Sequence, residues 1–126
     1  MANPNLFAAT TAIGNSSQTI CTSTSVCSIC SNAASSNKVY KINSIVVANV
    51  DGTNACDATI NIYSNATAGS GTAFAIASTI SVPADATLIV TDKTTSFYLL
   101  ENQSIGAIGS IANDLVVTCS WEEISS

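Results

Sequence analysis

The chain has no histidine and no arginine, and its three lysines, Lys38, Lys41 and Lys93, face eight carboxylates for a net charge of -5. Without histidine it lacks the commonest general base, the commonest metal ligand and the usual switch near neutral pH. Three scattered lysines form no basic stripe that could release counterions, which excludes nucleic acid as a partner. Charged residues amount to only 9% while apolar residues reach 47%. That balance excludes the disordered class, which needs low hydrophobicity and high charge. No uninterrupted apolar run exceeds five residues, against the roughly 20 that span a membrane as a helix. No membrane association is expected. No Lys or Arg precedes the apolar residues of MANPNLFAATTAIG, so no secretory signal is expected and synthesis is assigned to the cytosol. With one Trp and three Tyr, a sugar-binding catalytic cleft walled by aromatics is not expected.

About half of the chain is Ser, Thr, Asn and Ala, in 126 residues that suit one domain. Short neutral side chains favour close packing between surfaces and respond little to salt or pH. Helical periodicity is almost absent, whereas period-two alternation recurs from Lys38 onward. In KVYKINSIVVANV, Tyr40, Ile42, Val46, Ala48 and Val50 share one face, and Asp51-Gly52 follows as a turn. Cys56, Ala58, Ile60 and Ile62 then share a face, and the two segments are expected to form a hairpin. Phe74, Ile76, Ile80 and Val82 alternate with small residues up to the turn at Pro83-Ala84-Asp85. Short strands are expected at Thr87–Thr91 and Ser96–Leu100. A weaker one is expected at Gln103–Ile111, where Gly106 and Gly109 mark a bulge or a close backbone approach. In the last run Leu115, Val117, Cys119 and Trp121 face one way, with Trp121 as a core anchor. This spacing predicts an all-β fold, an antiparallel jelly-roll-like β-sandwich of seven or eight short strands over residues 38–126. Residues 1–37 lack sustained alternation. They read as an N-terminal arm, one strand near Gln18–Thr22, and a Ser/Cys-rich loop.

Five cysteines are present, Cys21, Cys27, Cys30, Cys56 and Cys119. Cys27-x-x-Cys30 has the spacing of zinc knuckles and thioredoxin-type motifs. The first needs a second matched pair and the second a helix N-terminus, and the sequence offers neither. Cys56 and Cys119 fall on inward phases, as small hydrophobes. The remaining three, Cys21, Cys27 and Cys30, are the candidates for one disulfide, with the pairing open. Asp51, Asp85, Asp92 and Asp114 occupy turns, where aspartate caps its own backbone. No calcium-loop pattern occurs, and no histidine is present to activate a serine. No catalytic residue, cofactor site or metal site is therefore expected.

Three segments, VDGTNACDATI (Val50–Ile60), SVPADATLIVTDK (Ser81–Lys93) and NDLVVTCSWEEIS (Asn113–Ser125), occur in an order and spacing with a family likeness. The stretch from Lys38 to Ser125 resembles small virion structural proteins of marine tailed bacteriophages, especially cyanophages. The cysteines and the loop Ser23–Asn37 depart from that pattern. The resemblance implies a β-sandwich displayed on a virion, made in the host cytoplasm and without catalytic residues. The resemblance does not by itself say head or tail. The acidic net charge, the small neutral side chains, the lack of a catalytic inventory and an arm that could reach a neighbour favour a capsid cement or decoration protein on the capsid surface. Such a protein would self-associate as a homotrimer and bind the major capsid protein. The expected contacts are Asn3, Leu6 and Phe7 in the arm, with the loop around Cys27 and Cys30. The alternative is a tail or fibre component, either a structural module or a host-surface adhesin.

Overall fold

The structure is a computed structural model and describes residues 4–126. Its strands are β1 (Thr11–Ile20), β2 (Cys27–Asn32), β3 (Val39–Asn49), β4 (Cys56–Tyr63), β5 (Ala73–Val82), β6 (Thr87–Thr91), β7 (Phe97–Leu99), β8 (Gln103–Gly109) and β9 (Leu115–Ser125). One sheet has the order β1-β9-β3-β6, with β7 also pairing with β3, and the other the order β2-β8-β4-β5. All pairings are antiparallel. β6 and β7 meet successive parts of β3 and are separated by a 3-10 turn at Lys93–Thr95. They act as one interrupted strand. Eight positions then alternate between two sheets in the jelly-roll order, as the alternation predicts.

The core lies where the inward faces meet. Ile42, Ile45, Val47, Ala58, Ile60, Leu99, Ile105, Val117 and Cys119 are fully buried there. The inward phase of β9, Leu115 to Trp121, is as expected.

Four local expectations are corrected. The segments before and after Asp51-Gly52 do not form a hairpin, because β3 and β4 belong to opposite sheets. Both carry a strongly apolar face, and burying the two against each other across the sandwich removes more apolar surface than edge pairing would. The inward phase of β3 holds only to Ile42. A bulge between Ile42 and Ser44 then shifts it, so Ile45, Val47 and Asn49 face inward and Val50 faces solvent. On β5 only Val82 is buried, whereas Phe74, Ile76 and Ile80 are exposed. β5 is an edge strand whose register shifts twice against β4, so its alternation is not in phase with the core. Finally, the strand expected near Gln18–Thr22 begins as early as Thr11, and residues 27–32 are a strand and not loop, so β1 and β2 lie one in each sheet. Their many Ser, Thr and Asn side chains hide the pattern, since β1 is largely solvated and is held by its ladder to β9.

Candidate functional site

Three turns meet at one end of the sandwich, those of the segments Val50–Ile60, Ser81–Lys93 and Asn113–Ser125. Asp51 accepts on its carbonyl from Asp85 N (3.1 Å), and Asp114 accepts on its carbonyl from Val50 N (2.8 Å). Asn49, buried at the end of β3, donates its side-chain amide to the carbonyls of Asn54 (3.0 Å) and Val82 (2.9 Å). The Asp51 side chain accepts from Thr53 N and Asn54 N, which closes the DGTN turn as an Asx turn. At the next turn Ala86 N donates to Pro83 O, and Asp85 takes a positive φ of 57°. The sequence places each aspartate at a turn. Their convergence is set by the crossing of strands between sheets.

Beside this end lies the cysteine loop. Cys21 and Cys27 form a disulfide, and Cys21 exchanges backbone hydrogen bonds with Asn113 and Leu115. Cys30 stays a free thiol, buried on β2 rather than in a loop. It lies against Cys119 of the opposite sheet, and this contact, with burial, pushes the Cys30 thiol far above its ordinary range. A thiol held protonated in an apolar core is a weak nucleophile and a poor ligand. Cys56 and Cys119 are likewise buried and free.

Val26, next to the disulfide, folds onto the outer face of β8. A Cβ at Gly106 would fall 2.7 Å from Val26 Cγ1, 2.8 Å from Tyr63 Cε2 and 3.2 Å from Ala68 Cβ. Gly106 thus permits the close approach its sequence position suggests. The β4–β5 loop is held down nearby, where Ser31 donates to Ala66 O and Ser104 donates to Asn65 O (2.7 Å).

At the opposite end, Glu123 gathers the polar groups. Asn15 Nδ2 (2.9 Å), Lys38 Nζ (3.2 Å) and Trp121 Nε1 (3.2 Å) all donate to its carboxylate. Tyr40 stacks on Trp121 with ring centroids 6.0 Å apart and planes 19° apart. Burial pushes the Glu123 carboxyl up. The three donors and the Lys38 charge outweigh it and hold the group below its ordinary value. The sequence contained a signal for this cluster, since the inward phase of β9 continues past Trp121 to Glu123.

Near this end the chain enters β1, and Thr10 N donates to Ser125 O. Of the expected contacts, Asn3 lies outside the described residues. Leu6 and Phe7 form a 3-10 turn capped by Asn5, whose side chain accepts from Phe7 N (3.0 Å). Leu6 is 43% exposed and Phe7 100% exposed. A fully exposed Phe forgoes roughly 1.5–3 kcal/mol of burial. Leu6 and Phe7 are therefore not brought together with the Cys27 and Cys30 region, which the fold places on β2. Apolar side chains also cross the outer face of the first sheet, where the ladder aligns Ile20, Val116 and Ala48, and beside them Val46 and Ile89.

Among the described residues there is no cleft or cavity, and no three His, Cys, Asp or Glu side chains converge with metal-binding geometry. No helix among them is long and apolar enough to cross a membrane. No protein-family model matches the chain, and no curated protein sequence is detectably similar to it.

Proposed function

We propose that the chain is a structural protein of a tailed-phage virion, a cement or decoration protein that binds the outer capsid surface. On this reading it acts by binding and not by catalysis. Its partners are the major capsid protein and further copies of itself, as a homotrimer, with Leu6 and Phe7 among the contact residues. The observation that carries the reading is that the VDGTN, VPAD and NDL turns meet in space at one end of the sandwich; these are the segments on which the resemblance to virion proteins rests. The fully exposed Phe7 supports it, since an apolar side chain on a capped turn gains most where a partner covers it. Binding of this kind stabilises the shell by linkage. Each copy binds the assembled capsid and not its dissociated parts, so occupancy shifts assembly forward.

The decisive measurement is the copy number of this chain in purified virions relative to the major capsid protein. A ratio near one, or one per few capsid subunits, is expected. A ratio of a few per cent would overturn capsid decoration in favour of the tail or fibre, and absence from virions would overturn both. A second test removes residues 1–9, ending before β1 so that the sandwich is untouched. The truncated protein should keep its melting temperature and bind capsids at least tenfold more weakly. Unchanged capsid affinity would remove the N-terminal segment from the interface.

A further inference from the structure

Among the described residues the two sheets have four edge strands, β1 and β6 in one and β2 and β5 in the other. Unpaired strand edges invite pairing with other chains, and folds blunt them with short strands, bulges, charges or proline. Three of the four are blunted in this way. β6 has five residues and gives way to the 3-10 turn capped by Asp92 and opened by Lys93. β2 has six residues, a register shift between Ser28 and Cys30, and a disulfide at its first residue. β5 shifts register twice against β4, holds Thr79 at a positive φ of 46° and runs into Pro83.

β1 has none of these devices. It runs for ten residues in unbroken register with β9, with no proline and no positive φ. No charged residue precedes Lys38, so the strand is neutral throughout. Thr11 to Ser16 are exposed on both faces, and Ile13 and Ile20 remain 56% and 54% exposed. Cys21 N donates to Leu115 O, which continues the ladder with the odd-numbered residues turned toward β9. The N–H and C=O groups of Ala12, Gly14, Ser16, Gln18 and Ile20 therefore point to the free edge. There Ser16 N donates to the Asn15 side chain in place of a strand (2.9 Å). These five residues are spaced symmetrically about Ser16.

We propose that β1 pairs antiparallel with β1 of a second copy, about a two-fold axis at Ser16, so that one sheet runs through both molecules. This register sets Ser16 against its own counterpart, Gly14 against Gln18 and Ala12 against Ile20. A second copy is the occupant because β1 matches itself in length and neutrality, and a two-fold contact needs only one self-complementary strand. An uncharged edge offers a basic or acidic peptide nothing to recognise. The same register sets Glu122 and Glu123 of β9 across from Thr118 and Val117 of the copy, not from another carboxylate. β9 and its copy stand three strand spacings apart, about 14 Å, beyond the screening length of about 8–10 Å. The net charge of -5 on each copy therefore opposes the contact little. The edge is about 33 Å long. One strand pair covers an area at the small end of specific interfaces, so pairing belongs to the micromolar range. The contact does not rest on the decoration reading. Being two-fold, it joins whole assemblies to one another, whatever holds a trimer together.

The test is sedimentation equilibrium of the full chain up to about 500 µM, a range that reaches weak interfaces. Ser16→Lys is run beside the wild type. Lysine at this exposed position sets two like charges directly opposite each other and leaves the ladder to β9 intact. The wild type should approach twice the mass of Ser16→Lys, whose self-association should be at least tenfold weaker at an equal melting temperature. Ser16→Cys fixes the register. It should cross-link to its counterpart under oxidised glutathione, because Cα atoms of a hydrogen-bonded pair lie about 5.5 Å apart, within disulfide reach. Ser81→Cys, exposed on β5, should not cross-link at the same concentration. Equal masses of wild type and Ser16→Lys over the whole range would overturn the pairing. So would cross-linking of Ser16→Cys no faster than that of Ser81→Cys, or a wild-type mass that keeps growing past the factor of two. Neither measurement involves virions, so failure here and failure of the decoration reading are separate results.

Discussion

Replacing Gly106 with alanine tests the packing that joins the disulfide loop to the sandwich. Glycine-to-alanine changes in a strand ordinarily stabilise by about 0.4–1 kcal/mol, because the unfolded chain has less freedom to lose. Gly106 should do the opposite. Its new methyl would meet Val26 Cγ1 at 2.7 Å and the Tyr63 ring at 2.8 Å, distances real carbon contacts do not adopt, and Ala68 at a tight 3.2 Å. Tyr63 is itself buried, so it has little room to turn away. Overpacking of this kind costs about 1–3 kcal/mol, which for a chain this long lowers the melting temperature by roughly 3–10 °C. The assay is urea unfolding followed by Trp121 fluorescence, with an unchanged m value showing that stability alone moved. Val26→Ala in the same chain should recover part of the loss, because it removes the nearest atom. A double-mutant cycle should therefore give a coupling of about 0.5–2 kcal/mol. If Gly106→Ala were neutral or stabilising, or the cycle showed no coupling, Val26 and Tyr63 would not lie over β8, and the docking of the disulfide loop would be wrong.

Other expectations are equally direct. Glu123→Gln should cost about 1–3 kcal/mol at pH 7, because three donors lose a charged acceptor. The Glu123 carboxyl is held below its ordinary value, so its contribution is full above that value and fades as pH falls through the folded one. Wild type and Glu123→Gln should therefore converge once the pH lies below the depressed folded-state value of Glu123, and a gap that persisted there would exclude a charge effect. Intact mass under non-reducing conditions should be lower than the reduced mass by two hydrogen atoms, with three cysteines open to alkylation after denaturation. Five alkylatable cysteines would refute the Cys21–Cys27 bond. Val47→Thr should cost about 1–3 kcal/mol by burying a hydroxyl in the core, and Val46→Thr about 0.5 kcal/mol or less. Equal costs, measured by urea unfolding, would contradict the bulge that exchanges their faces.

The parts of the fold legible in the sequence are those where burial is one-sided and the strand is regular. The run Leu115 to Trp121 and the run Cys56 to Ile60 keep one apolar phase, and both lie in the middle of a sheet. Edges are less legible. β5 has a strong apolar pattern that it does not bury, and β1 has hardly any pattern because its ladder to β9 holds it. The site residues divide in the same way. Leu6 and Phe7 could be marked as apolar outliers in a polar segment. The phase of β9 marks Glu123 beside Trp121, but no spacing along the chain announces that Asn15 of β1 and Lys38, just before β3, join them.

Composition and period-two alternation alone determined that this chain is an all-β domain with turns at Asp51, Asp85, Asp92 and Asp114, because solvent contact on one face imposes a two-residue repeat. The sequence also placed Cys21, Cys27 and Cys30 within reach of one another. Only the tertiary structure decided that Cys21 takes Cys27, since strand β2 draws Cys30 into the core beside Cys119. It alone decided that Asp51-Gly52 carries the chain across the sandwich and not back along its edge. The physical reason is common to both: pairing depends on which apolar faces meet across the core, and that is a property of the whole chain, beyond the reach of any local window.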